Sequence, residues 1–224
     1  MIKKNIKRFF ETGGTDLYSK YIKRFLGISL SFIAIIICIP IYGILALLVR
    51  IKLGKPILFK QLRISKNNKK FKIYKFRTMT DARDENGNLL STELRLTKFG
   101  ILLRSTALDE LPELFNILKG DISFVGPRPL LVEYLPLYTK YEMQRHNVRG
   151  GLIPPEVLYG DVTPTWEQQF EYEVYYVNNI SFLIDFKIIL ATFKCIVKRT
   201  SINYGNHKRD PFVEDRMNKM KQES

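Results

Sequence analysis

Cysteine and histidine are almost missing from this chain. Only Cys38 and Cys195 occur, so no disulfide framework can carry the fold. Two histidines and no CxxC or HExxH pairing exclude a metal centre built from His and Cys. Acidic residues are also in deficit: 22 Asp plus Glu stand against 36 Lys plus Arg, a formal net charge of +14. A surplus of that size implies an anionic partner, whether nucleic acid, an acidic membrane surface or phosphorylated small molecules. No repeat, low-complexity tract or clear inter-domain linker interrupts the 224 residues. With 46% hydrophobic residues the chain can bury a real core, and wholesale disorder is excluded.

Charge is absent from one continuous stretch, Phe25 to Val49. A helix needs about 20 apolar residues to cross a bilayer core, so this run is long enough to enter one. The long lead-in and the lack of an Ala-x-Ala-like ending argue against a cleaved signal. Uncharged runs beyond about 18 residues seldom lie in a soluble core. Pro40, near mid-run, removes a helix hydrogen bond and predicts a sharp bend. Basic residues flank both ends: Lys20, Lys23 and Arg24 before, then Arg50, Lys52, Lys55, Lys60 and Arg63 after. A single span keeps its basic residues mainly on the cytoplasmic side. The proline and the equal flanks fit a helix that enters one leaflet and leaves by the same face, while composition leaves a true span equally open. Upstream, Ile2, Ile6, Phe9 and Phe10 alternate with Lys3, Lys4, Lys7 and Arg8, a basic amphipathic stretch suited to an anionic leaflet.

The remainder reads as a globular domain. Segments from Pro56 and from Phe71 read as two short strands, and the Ser65–Lys70 turn residues between them predict a hairpin. Leu108, Leu111, Leu114, Phe115 and Leu118 recur at helical spacing and stop at Gly120. Leu131 to Arg145, Trp166 to Val177 and Phe182 to Val197 read as helices, with a loop at Gly150–Pro155. The tail from Ser201 is polar and expected to be mobile.

Asp109 and Glu110 stand adjacent at the predicted start of the Leu108–Leu118 helix, with Pro112 in its first turn. A helix N-terminal dipole stabilises an ionised carboxylate, which favours Asp109 as a nucleophile. Acidic residues at helix starts are also routine dipole partners. Arg128 lies between Pro127 and Pro129, which fix the backbone and hold a bidentate fork for phosphate oxygens, or for a structural ion pair. Lys75, Arg77 and Arg104 add candidate cations. Singly each reads as a surface charge; together they suggest a diphosphate-binding patch beside a carboxylate pair.

The block from Leu108 to Pro129, LDELPELFNILKGDISFVGPRP, resembles the signature of the bacterial sugar transferases called monotopic phosphoglycosyl transferases. The resemblance extends through Phe71–Met79, the apolar segment with Pro40, Arg104 and Tyr175–Ile188. In its short form it is most similar to the small enzymes of the PglC type. It implies a mixed, helix-rich α/β monotopic membrane protein. Residues 1–55 would form an amphipathic stretch and a re-entrant helix kinked at Pro40. Residues 56–200 would form a small cytoplasmic catalytic domain with short strands and amphipathic membrane-surface helices, and 201–224 a polar tail. The implied reaction moves a sugar-1-phosphate from a UDP-sugar to undecaprenyl phosphate and releases UMP, in bacterial surface-glycan assembly. On the family pattern Asp109 attacks the sugar-linked phosphorus, Glu110 assists, and Lys75, Arg104, Arg128 and Asp185 bind substrate. Mg2+ neutralises the diphosphate, with Asp109 as its protein ligand. The implied location is the cytoplasmic face of the bacterial inner membrane, with membrane phospholipid and downstream glycosyltransferases as partners.

Three departures stand out. Ile39 precedes Pro40 where the family commonly has Ser, so a backbone-bonding hydroxyl is expected from Ser29 or Ser31. The Gly150–Asp161 loop departs from a segment expected to recognise the donor, and Glu173 stands where Asp is common. A rival reading is a membrane-bound nucleotide-sugar-binding or scaffold protein that has lost turnover; retention of the acidic pair argues against it. A basic nucleic-acid-binding protein is the other rival. No helix-turn-helix, zinc or RNP motif appears, so no nucleic-acid partner is expected.

Overall fold

The uncharged run forms one helix, α1 (Lys23–Leu53), entered through a π-helical turn at Tyr18–Ile22. The structure is a computed structural model that describes residues 17–160, 164–199 and 211–222. The basic amphipathic stretch at Ile2–Phe10, Asp161 of the divergent loop and residues 201–210 lie outside the described residues. α1 continues through Pro40, so the bend expected there does not divide it into two elements. Ser31 supplies the expected back-bonding hydroxyl: it is fully buried and donates to the carbonyls of Gly27 at 2.6 Å and Ile28 at 3.1 Å. Those carbonyls lie upstream of Ile36, the one that Pro40 leaves without its i+4 donor.

One face of α1 rests on the domain. Leu45, Val49 and Leu53 pack with Phe76 and Leu103, and Ala34 and Ile35 pack against Phe71, Ile73, Leu114, Ile117 and Ile122. Phe25, Phe32, Ile37, Ile44 and Leu47 on the other faces are exposed. The fold is a helix-rich mixture with short strands, as expected.

The hairpin forms as read. Strands β1 (Leu58–Ile64) and β2 (Lys70–Phe76) are antiparallel, with Leu58 opposite Phe76 and Ile64 opposite Lys70. Asn67 and Asn68 take left-handed φ values of 55° and 60° in the turn, which asparagine tolerates. The period-two alternation of β2 buries Phe71 and Ile73 and brings Lys75 to their side. Then come α2 (Lys98–Ser105), capped by the Thr97 hydroxyl, and α3 (Glu113–Lys119), which ends where Gly120 takes a φ of 87°.

β2 has β1 on one edge only. On the other edge the fully buried Asn116 of α3 completes the backbone pairing. Its Oδ1 accepts from Tyr74 N at 3.1 Å, and its Nδ2 donates to Lys72 O at 2.8 Å and to Asp121 Oδ2 at 3.1 Å. An amide side chain thus does the work of a third strand and fixes α3 against β2.

Two stretches differ from expectation. Leu131–Arg145 is two 3-10 helices, Val132–Leu137 and Glu142–Asn147, rather than one α-helix. Pro136 cannot donate within a continuous helix, and Thr139 and Glu142 exchange backbone-to-side-chain bonds that restart the chain. The expected loop at Gly150 contains a strand, β4 (Gly151–Ile153), which pairs in parallel with β3 (Ser123–Val125). A Cβ on Gly151 would fall 2.1 Å from Gly126 N, so this close approach requires glycine.

Helices α4 (Trp166–Asn178), opened by a Thr165–Gln168 capping box, and α5 (Phe182–Arg199) follow as read. Residues 212–222 correct the expectation of a mobile tail: they form α6 (Phe212–Gln222). Phe212 is fully buried among Leu130, Tyr134, Trp166 and Phe170, an aromatic anchor that composition alone conceals.

Asn116→Ala leaves the peptide groups of Lys72 and Tyr74 without their partner in a buried setting. The expected loss is at least about 2 kcal/mol of stability, since each unsatisfied buried group costs about 1–3 kcal/mol. Thermal unfolding of the purified chain in detergent checks it; an unchanged midpoint would show that the amide is dispensable.

Candidate active site

After α2 the chain turns at Ala107, whose φ of 55° is left-handed without the excuse of glycine. Such strain persists where surrounding structure over-determines it, and it concentrates at functional sites. The turn delivers Leu108–Glu110 as a single 3-10 turn, and α3 begins only at Glu113. Asp109 is 7% exposed, and no side chain donates a hydrogen bond to it among the described residues. This corrects the expected electrostatics. Asp109 precedes the α-helix instead of capping it, and burial followed by the adjacent Glu110 carboxylate pushes its pKa up to about 6, against the pull of Lys75 and Arg104.

Lys75 of β2 organises the acids. Its Nζ lies 2.5 Å from Glu110 Oε1 and 3.2 Å from Glu113 Oε1. Burial works to lower the Lys75 pKa, but the two carboxylates outweigh it and the ammonium stays charged. Glu113, 2% exposed, is pushed up to about 7 by burial while Lys75 pulls the other way. Sequence reading missed Glu113, although it stands one helical turn beyond Asp109 and Glu110 in the same block. Arg104 on α2 is oriented by Thr78, its Nε donating to Thr78 Oγ1 at 3.0 Å. Gly100 makes this possible, since a Cβ there would sit 1.9 Å from Thr78 O.

Arg128 has both its backbone groups gripped. Its N–H donates to Glu173 Oε1 at 2.9 Å, and its carbonyl accepts from Arg145 Nη2 at 2.5 Å. Arg145 and Glu173, 1% and 0% exposed, form a two-point ion pair of 2.7 and 3.0 Å, and Gln169 and Tyr138 take the remaining bonds. Charges so deeply buried are tolerable only when paired and hydrogen-bonded, as here. With Pro127 and Pro129 on either side, the loop is rigid and the exposed Arg128 side chain projects from it. Its charge acts on Lys75 and Glu113, which ties it electrostatically to the acidic pair. Nothing in the sequence singles out Arg145 as the partner that makes this loop stiff.

The structure therefore gathers Lys75, Arg104, Asp109, Glu110 and Arg128. Asp185 belongs to a different network. Its Oδ2 accepts from Tyr18 at 2.5 Å and Lys23 at 2.6 Å, and its Oδ1 from Tyr176 at 2.6 Å. Arg77 is also structural, donating to the carbonyls of Lys55 and Met79 and pairing with Asp81. In the divergent loop, the buried Glu156 keeps one oxygen, Oε2, without a hydrogen-bond partner and lies within electrostatic reach of Arg128. No cluster of three or more His, Cys, Asp or Glu able to hold a metal occurs among the described residues.

Chemically, the arrangement offers a buried carboxylate nucleophile, a second carboxylate anchored by an ammonium, and guanidinium groups for an anionic substrate. The uncharacterised sugar transferase EpsL of Bacillus subtilis is 50% identical over 159 residues, 71% of this chain and 79% of that protein. The UDP-N-acetylgalactosamine-undecaprenyl-phosphate N-acetylgalactosaminephosphotransferase of Aeromonas hydrophila is 33% identical over 185 residues. The UDP-glucose:undecaprenyl-phosphate glucose-1-phosphate transferase of Klebsiella pneumoniae is 35% identical over 191 residues. These two matches cover 79% and 80% of the chain, which spans only 44% and 41% of those relatives. A family model described as bacterial sugar transferase matches residues 18–199, and the chain belongs to that family.

Proposed function

We propose that this chain transfers a sugar-1-phosphate from a UDP-sugar to undecaprenyl phosphate, releasing UMP, with Asp109 as the nucleophile. The observation that carries this reading is the buried Asp109 beside a Glu110 held by Lys75, with Arg104 and Arg128 close by. An Asp109 carboxylate oxygen attacks the phosphorus that bears the sugar. The bond from that phosphorus to the bridging oxygen breaks, and its electron pair leaves on UMP. An oxygen of the lipid phosphate then attacks the same phosphorus, and the Asp109 carboxylate departs unchanged. Splitting one transfer into two displacements is what covalent catalysis offers. Glu110 contributes supporting charge, while Arg104 and the rigidly mounted Arg128 hold diphosphate oxygens.

The donor set fits a hard cation held mainly by substrate. Mg2+ is usually bound through one or two carboxylates plus phosphates, and Asp109 receives no side-chain donor. Bound there beside Asp109, it would neutralise diphosphate charge.

The same proposal makes the chain a monotopic protein on the cytoplasmic face of the bacterial inner membrane. α1 is fastened to the domain at both ends: Arg24 donates to the carbonyls of Ile117 and Leu118, and Val49 and Leu53 pack with Phe76 and Leu103. Midway, the Tyr42 hydroxyl donates to Leu111 O at 2.7 Å. A helix held along its length by one domain presents its remaining faces to lipid without carrying either end across. α5 adds a second apolar surface, with Phe182, Leu183, Phe186, Leu190 and Phe193 exposed on a helix whose Ile188 is fully buried. The lipid-linked product would pass to downstream glycosyltransferases in surface-glycan assembly.

Single-cysteine variants near Lys20 and Lys52 are expected to label from the same, cytoplasmic side; labelling from opposite faces would refute the monotopic arrangement. Arg128→Lys keeps the charge and loses the fork, so kcat/KM should fall at least about tenfold, roughly 1.4 kcal/mol. Near-normal turnover would demote Arg128 to a general electrostatic contributor. Asp109→Asn should abolish turnover while membrane insertion persists, and Glu110→Gln should be badly impaired. Intact-protein mass spectrometry of wild type with donor alone should show one phospho-sugar on Asp109. An adduct on Glu110, or a turning-over Asp109→Asn, would overturn the assignment.

A further inference from the structure

Asp109 lies before the N-terminal end of α3. At the other end of that helix, the start of α1 and the turn before β4 enclose a cavity of about 590 Å3. The volume is within the range of about 300–1,000 Å3 usual for small-ligand sites. Its charged lining consists of Lys20, Lys23, Arg24, Lys66 and Arg149, and no carboxylate belongs to the wall among the described residues. None of Lys75, Arg104, Asp109, Glu110 and Arg128 lines it.

Two of these cations have structural work. Lys23 is neutralised by Asp185, and Arg24 caps the carbonyls of Ile117 and Leu118. Arg149 converges on the same helix end, its Nε donating to Gly120 O at 3.0 Å, and a Cβ on Gly120 would stand 3.0 Å from Arg24 Cζ. Two guanidinium groups thus crowd one helix terminus, which offers only about half a negative charge. Asp121 accepts from Asn116, and its charge offsets part of that on Arg24. Lys20 and Lys66 have no carboxylate partner among the described residues. The cavity is therefore a net concentration of positive charge, which Asp185 and Asp121 offset only in part.

The rest of the wall is mixed, with Ser19, Ser123 and Asn147 among its polar residues. Leu17, Ile117 and Ile180 supply its apolar part, Tyr21 of the preceding turn also lines it, and it adjoins the start of α1, where Phe25 is exposed. Cations and apolar side chains in one cavity, beside an exposed apolar helix, match a molecule that joins a phosphate to hydrocarbon. A soluble nucleotide would gain nothing from that adjacency.

We propose that this cavity is a binding site for an anionic phospholipid. Its phosphate sits among Lys20, Lys66 and Arg149, and its acyl chains lie along the exposed apolar face of α1. The lipid is a structural ligand, distinct from both substrates, that ties the start of α1 to the turn preceding β4.

The test is thermal unfolding of the full chain in a neutral detergent, titrated with dihexanoyl phosphatidylglycerol below its micelle concentration. The midpoint should rise with phosphatidylglycerol and stay unchanged with dihexanoyl phosphatidylcholine. The double variant Lys20→Gln/Lys66→Gln should keep its unliganded midpoint and lose at least half of the shift. Arg149→Gln supplies an independent variant with the same expectation. A full shift retained in both variants would overturn the location. An equal shift with inorganic phosphate or glycerol-3-phosphate would make the site a free-anion site and overturn the lipid assignment. An equal shift with a short polyprenyl monophosphate would make it an acceptor site and overturn it too.

Discussion

The side-chain amide of Asn116 is the constraint on which the site depends. It replaces a missing strand beside β2, satisfying Tyr74 N and Lys72 O from the middle of α3. That contact sets the height of α3 along β2. Lys75 is the next residue of the strand, and Glu113 opens the helix, so the register that Asn116 imposes is what brings the ammonium to its two carboxylates. Apolar packing of Leu114 and Ile117 against Phe71 and Ile73 supplies most of the adhesion, but apolar contact is non-directional and tolerates sliding. The directional amide does not.

A second fixed point holds the other half of the site. The Arg145–Glu173 pair grips the peptide groups of Arg128 from both sides, so the loop is stiff before any ligand arrives. Pre-organisation of this kind spares the ordering entropy that a mobile arginine would lose on binding an anion. The longer carboxylate of Glu173, where related sequences commonly carry Asp, has each of its oxygens bonded, which explains how the departure is accommodated.

What could be read in the sequence followed from periodicity and punctuation. The hairpin, α3 with its Gly120 stop, and helices α4 and α5 each announce themselves by period-two or period-3.6 patterning and by turn or cap residues. Asp109, Glu110 and Arg128 were singled out as candidates by the Leu108–Pro129 block, and Lys75 and Arg104 by the resemblance upstream of it. Features set by tertiary contact were not. β3 and β4 are three residues each, below what any pattern can signal, and their pairing depends on the absent side chain of Gly151. The Asp109 pKa rises because of burial that local sequence does not encode, so a dipole argument pointed the wrong way. α6 was hidden because its composition is polar and it docks through few residues: Phe212, Val213 and the Arg216–Glu142 ion pair. Asp185 resembled a site residue by motif, yet its oxygens are taken by Tyr18, Lys23 and Tyr176.

That buried knot has a bearing on how the protein is made. Lys23 and Tyr18 leave the ribosome well before Tyr176 and Asp185, and both belong to the segment that opens the apolar helix. The last helices of the domain therefore close onto the residues that open α1. A ribosome-released domain lacking those residues would bury the Asp185 carboxylate without its countercharge, at the heavy penalty such an isolated ion incurs. The apolar helix and the domain are thus one cooperative unit: the knot closes only once the last helices have been made, and neither part is complete without the other.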